Sequence, residues 1–148
     1  MTKVTAEERE AAEAFHDFVE GFKDNMESLV ENAAGRLYHH GYNVDEPAEI
    51  WDINFALWLP ITGPDSQEYT AEFQIVNALE YEGFPDGAYG LNFMLTVSEW
   101  EGKVLADFAP YNFSDRCWID FRHEDEVEDR WEIFKRNDPT EIILSALA

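Results

Sequence analysis

The stretch EAAEAFHDFVEGFKDNMESLVE, residues 10–31, decides the fold. Its carboxylates, Glu10, Glu13, Asp17, Glu20, Asp24, Glu27 and Glu31, recur in alternating steps of three and four. At about 100° per residue, those steps keep them all on one face of a helix. Phe15, Phe18, Val19, Phe22, Met26, Leu29, Ala33 and Leu37 fall on the opposite face. Like charges at such spacings cost roughly 0.2–0.5 kcal/mol per pair, about 1–3 kcal/mol for the stripe. A solvated helix ordinarily relieves that cost by interleaving Lys or Arg. Here only Lys23 intervenes, and it lies off the stripe. The helix is built to present a line of negative charge.

Upstream, Thr5-Ala-Glu-Glu8 has the form of a capping box with Thr5 as N-cap. Downstream, the helix is expected to reach His40 and stop at Gly41. That makes a rod of about 50 Å. Gly21 and Gly35 each weaken it by up to ~1 kcal/mol relative to Ala, and Gly35 is where a bend is expected.

Beyond the helix the period changes to two. Trp51, Ile53, Phe55, Leu57 and Leu59 alternate with Asp52, Asn54, Ala56 and Trp58, a predicted strand that Pro60 ends. Tyr69, Ala71, Phe73, Ile75 and Leu79 form a second, and Tyr89, Leu91, Phe93, Leu95 and Val97 a third. Turns are expected at Gly63-Pro64-Asp65-Ser66 and at Gly83-Phe84-Pro85-Asp86-Gly87. Glu101-Gly102 reads as a tight hairpin into Lys103–Phe108, and Arg116–Phe121 as a short fifth strand. Clean alternation with short turns means an antiparallel meander with one buried face. Val127, Trp131 and Phe134 share a helical face between about Glu124 and Arg136. Asp138-Pro139-Thr140-Glu141 then supplies an N-cap and a first-position proline for a last helix, Ile142–Leu147. The expected fold is α+β, one domain over 1–148. A long N-terminal helix packs on a four- or five-stranded antiparallel sheet, with two short C-terminal helices.

Charge narrows the partners. With 32 acidic against 10 basic residues the net charge is −22. The magnitude comfortable for a small domain is roughly 2–8. Direct nucleic-acid binding through phosphates needs Lys and Arg and is excluded, as is an anionic membrane surface. The favoured partner is a basic protein. High-salt cytoplasm also selects acidic, Lys-poor chains, but the 15% aromatic content argues against that origin. The start, MTKVTAEERE, has no apolar signal core and no apolar run approaches a membrane span, so a cytoplasmic location is expected.

Catalytic chemistry finds little support. His39 and His40 point about 100° apart on a helix, so they do not jointly chelate a metal, and histidine suits a helix C-terminus. The lone Cys117 reads as a small core residue, with no base or orienting group nominated beside it. His16 and His123 stand beside acids as surface histidines. No phosphate loop, HExxH, GxSxG or calcium-loop pattern occurs. The reading is a non-enzyme with no cofactor and no metal.

Two further features carry recognition. Asp120, Glu124, Asp125, Glu126, Glu128, Asp129 and Glu132 form a second acid cluster. Its first part is explained by a helix N-terminus, and from the whole cluster Glu124, Asp125, Glu128 and Asp129 are the partner-binding candidates. Trp58 and Trp100 fall on the otherwise polar strand face with Met94. Cover by a C-terminal helix is the ordinary expectation, and an exposed aromatic anchor is the alternative.

Carboxylates 3.5 residues apart on a helix are spaced by about 5 Å along its axis, and DNA carries a charge per ~3.4 Å on each strand. In charge and regularity the chain resembles DNA-mimic inhibitors, the class phages and mobile elements use against restriction, CRISPR or repair enzymes. The resemblance is to a strategy and rests on charge alone. It implies that the stripe occupies the Lys/Arg channel of a nucleic-acid-binding target. The alternative is a dedicated acidic partner. It could be an immunity protein for a basic nuclease toxin, using aromatic anchors, or a secretion chaperone, using an apolar sheet surface and commonly a homodimer.

Overall fold

A computed structural model describes residues 6–114 and 116–148. The first helix, α1, runs unbroken from Ala6 to His39. The Thr5 cap lies outside the described residues. The C-terminal stop is as expected: Gly41 has φ 92°, its N–H donates to Tyr38 O and that of Tyr42 to Leu37 O, closing the last turn. No bend is needed at Gly35. Added Cβ atoms at Gly21 and Gly35 would meet nothing within 4 Å, so packing requires neither glycine.

The sheet has seven strands: β1 (Asn43–Val44), β2 (Ala48–Trp51), β3 (Phe55–Thr62), β4 (Glu68–Asn77), β5 (Gly90–Glu99), β6 (Val104–Phe108) and β7 (Ile119–Asp120). All pairings are antiparallel, in the order β1-β3-β4-β5-β6, with β2 also on β3 and β7 on β5. The expected meander is β3 to β6, and the sheet exceeds the expected four or five strands because short pieces extend it.

Four expectations are corrected. The run from Trp51 to Leu59 is not one strand. Asp52 Oδ1 accepts from the Asn54 N–H at 2.7 Å, and this turn folds β2 back on β3. Trp51 and Ile53 are consequently exposed rather than in the core. Pro60 does not end β3. Its C=O accepts from the Asp45 N–H (3.1 Å), so its missing N–H faces the gap between the β1 and β2 pairings, where no ladder bond is lost. Leu79 lies in a 3₁₀ turn, Ala78–Glu80, beyond β4, and the fifth predicted strand shrinks to β7.

Helix α2 spans Glu124–Arg136 and α3 Pro139–Leu147. Asp138 holds the N-cap position in left-handed backbone (φ 51°), but its carboxylate pairs with Arg36 and makes no capping hydrogen bond.

One core binds these parts. Phe15, Val19, Phe22, Met26, Val30, Ala33 and Leu37 of α1 bury against Leu57, Leu59, Phe73, Phe93, Leu95 and their neighbours. Phe93 also meets Trp131 (ring centroids 5.0 Å) and Phe134 (6.1 Å). All three helices therefore cover the same face of the sheet. The other face, carrying Trp58, Glu72, Gln74, Met94 and Thr96, has none of the three α-helices of the described residues on it.

Arg130 of α2 is a buried cation. It donates to Asn92 Oδ1 (3.1 Å), to Arg116 O (2.9 Å) and to Cys117 O, and its guanidinium lies 4.7 Å from the centre of the Tyr111 ring. Its charge is met by carbonyl oxygens, and among the described residues it forms no ion pair.

Candidate functional site

The carboxylate stripe lies on the outside of the molecule. Glu10, Glu13, Asp17, Glu20, Asp24 and Glu31 are exposed and Glu27 is half-buried. Opposite them, the apolar face of α1 is seated on the sheet. Lys23 lies on the flank, between Glu20 (3.4 Å) and Glu49 (3.4 Å). Burial of its stem opposes the charge, but hydrogen bonds to Glu20 and Glu49 hold the ammonium above its ordinary value. His16 stands 3.9 Å from Asp17 and 3.7 Å from Glu20, with its ring 4.7 Å from that of Trp51. Among the described residues Glu10, Glu13, Asp24, Glu27 and Glu31 form no ion pair. The like-charge cost along the stripe is thus left largely unrelieved.

The second acid cluster divides in two. Asp120 is tied to Arg122, whose Nε donates at 2.9 Å, and that hydrogen bond holds the carboxyl below its ordinary range. Glu124, Asp125 and Glu126 occupy the first turn of α2, where the macrodipole favours them. Glu124, Asp125, Glu128 and Asp129 are exposed.

The structure brings part of this cluster to the stripe. A groove of about 700 Å³ runs between α1 and α2. Asp17, Gly21 and Asn25 form one wall, and Glu124, Glu128 and Glu132 the other, with Asp129 beside them. Phe18, Phe22, Val127 and Trp131 make the floor. Among the described residues the one cation lining it is Lys135, already paired with Glu132 at 2.8 Å. The groove was not foreseen from sequence. Its signal is the i, i+4, i+8 row of Glu124, Glu128 and Glu132 beside Val127 and Trp131, but nothing in the chain tells which helix faces that row.

Trp58 and Trp100 are not brought to the acids. They sit on the uncovered sheet face with ring centroids 5.7 Å apart, Trp58 half-buried and Trp100 56% exposed. The expected cover by a C-terminal helix is absent because α2 and α3 pack on the other face. Thr70 is nevertheless buried on the strand between the two that lead to these indoles. In the same region burial pushes the Glu72 carboxyl up, with the charge of Asp52 adding to it.

The remaining candidates carry little chemistry. Cys117 is fully buried, and burial pushes its thiol up, away from the thiolate a nucleophile needs. His40 Nδ1 lies 2.8 Å from Arg36 O at the end of α1. Among the described residues no group of three or more His, Cys, Asp or Glu is placed to hold a metal ion, and no helix is long and apolar enough to cross a membrane. No protein family, curated protein or solved structure matches this chain.

Proposed function

We propose that the protein is an acidic inhibitor that binds the basic, nucleic-acid-binding surface of a target protein, with the α1 stripe standing in for a phosphate backbone. The observation that carries this reading is the row of seven carboxylates on a single helix, six of them exposed and five without an ion pair among the described residues. From Glu10 to Glu31 the row extends about 30 Å, comparable to one turn of duplex DNA. A fold gains nothing from leaving like charges adjacent and unrelieved, whereas a Lys/Arg channel complements them. Association is fast, steered from a distance and weakened by salt. This is the chemistry expected of a phage or mobile-element anti-restriction or anti-CRISPR factor.

The test is charge reversal. Asp17, Glu20, Asp24 and Glu27 changed together to Lys should abolish binding to a panel of restriction, CRISPR and repair enzymes while the fold is retained. Duplex DNA should compete with the wild-type protein for the same site.

One observation favours a second reading, a dedicated partner such as an immunity protein for a basic nuclease. The Trp58–Trp100 pair lies on a sheet face that no helix covers, and tryptophan is favoured at interface centres. If the quadruple reversal binds normally and Trp58→Ala or Trp100→Ala destroys binding, this second reading replaces the first.

A further inference from the structure

The groove between α1 and α2 shares Asp17 with the outward stripe and otherwise uses a different surface, and no described segment of the chain fills it. We propose that it is a docking site for an amphipathic helix of a partner protein, with large apolar residues on its contact face and Lys or Arg along its edges. This goes beyond the stripe reading, since Glu20, Asp24, Glu27 and Glu31 take no part.

Shape argues for a helix. Asp17, Gly21 and Asn25 on one side, and Glu124, Glu128 and Glu132 on the other, are both i±4 rows. Such rows are the ridges between which another helix seats its own. Each row extends about 12 Å, room for roughly two turns of an incoming helix. The volume, about 700 Å³, suits several side chains rather than one ion.

Chemistry sets the character of that helix. The floor is aromatic, with Phe18 half-buried and open to contact, and the rings of Phe22 and Trp131 (5.2 Å apart) beneath. The rim is acidic, and its single ammonium is spoken for by Glu132. An apolar contact face is needed for the floor, and cationic edges for the rim. A second copy of this chain, at −22, is repelled.

Gly21 supplies an independent observation. It destabilises the middle of a helix, and a Cβ there would meet nothing within 4 Å. Nothing among the described residues demands this glycine. It leaves a notch in the α1 ridge at the centre of the groove wall, where an incoming side chain can approach the backbone.

The experiment uses a synthetic 18-residue peptide with leucines on one helical face and Lys/Arg on its flanks. A sequence-scrambled isomer of the same composition serves as control, and binding is read by calorimetry at about 0.15 M salt. The amphipathic peptide should bind at least about tenfold more tightly than its isomer. Gly21→Trp, which fills the notch, should weaken it about tenfold or more, and Gly21→Ala should not. Asn25→Phe plugs the same wall if Gly21→Trp does not fold. Glu124→Gln with Glu128→Gln should also weaken it about tenfold, while Asp24→Asn with Glu27→Gln, removing equal charge from the stripe, changes it less than about threefold. The proposal is overturned if neither peptide binds, if the isomer binds equally, if the plugged groove binds like wild type, or if the two neutralised pairs behave alike. Failure of the stripe reading shows separately, when Glu20, Asp24 and Glu27, which do not line the groove, are reversed to Lys and tested against nucleic-acid-binding targets.

Discussion

Arg36 and Asp138 tie the last turn of α1 to the start of α3, with Nη1 2.8 Å from Asp138 Oδ1 and Nη2 3.4 Å from Oδ2. The guanidinium also donates to Glu141 Oε1 at 3.0 Å. In a chain with 22 excess negative charges, this cation holds two carboxylates at the junction of the two terminal helices. Its hydrogen bond keeps the Asp138 carboxyl below the usual range.

Arg36→Gln should therefore destabilise the protein modestly at pH 7, since the pair is partly exposed and solvent screens it. A carboxyl whose pKa is depressed by folding stabilises above its unfolded value, about 3.9, and loses that contribution as pH falls through the lower folded value. The gap between wild type and variant should close over that acid range in urea titrations. A gap that persists while the protein remains folded would assign the effect to packing of the Arg36 stem.

Glu72 behaves in the opposite sense. Burial raises its carboxyl, so its contribution is favourable below about pH 4.3 and is lost as pH rises through the folded value. Glu72→Gln should stabilise at pH 7 by up to about 1 kcal/mol and be neutral near pH 4. The amide can keep the contact with Gln74, now 3.3 Å. A destabilised variant at pH 7 would show that Glu72 is held by something its charge serves.

The stripe predicts its own remedy. Asp24→Lys removes like-charge contacts with Glu20 and Glu27 and replaces them with opposite ones, which should raise stability by about 0.5–1 kcal/mol. Added salt should raise the melting temperature of the wild type, and less so that of the variant, because screening acts on the repulsion already relieved. Melting curves from about 0.01 to 0.5 M salt check both. A wild type indifferent to salt would mean that the repulsion is neutralised elsewhere.

Arg130→Ala should be severe, about 2–4 kcal/mol, because it leaves Asn92 and two backbone carbonyls without their donor. Arg130 also underlies Tyr111, the first of three consecutive residues with positive φ (62°, 43° and 59°), and so fixes a strained turn. Arg130→Lys should not rescue stability, since an ammonium cannot fork between these acceptors. Denaturant unfolding of the two variants decides, and a fully stable lysine variant would count against the carbonyl cradle.

Where the chain's periodicity reports burial, it was readable. The steps of three and four set α1, and the alternation in β4 and β5 set the meander, because one face of each had to meet the core. It misled where two short strands imitate one long one: Trp51, Ile53 and Phe55 alternate as a continuous strand does, yet the Asp52–Asn54 turn reverses the chain. Pro60 misled because its effect depends on which neighbour its nitrogen faces, a property of pairing rather than of sequence. The exposed stripe was legible because charge is written in the residues. The groove was not, because it is made by the distance between two helices joined through the whole sheet. Which face holds α2 and α3 was equally hidden, and it decides whether Trp58 and Trp100 meet solvent.

With α1, α2 and α3 on a single side of the sheet, the molecule has a charged front and an indole-bearing back. The carboxylates of α1 and of the first turn of α2 share that front, so a cationic body approaching from this side meets their summed attraction before any atoms touch. Such long-range attraction raises the rate of encounter at the helices, and the tryptophans on the back take no part in it.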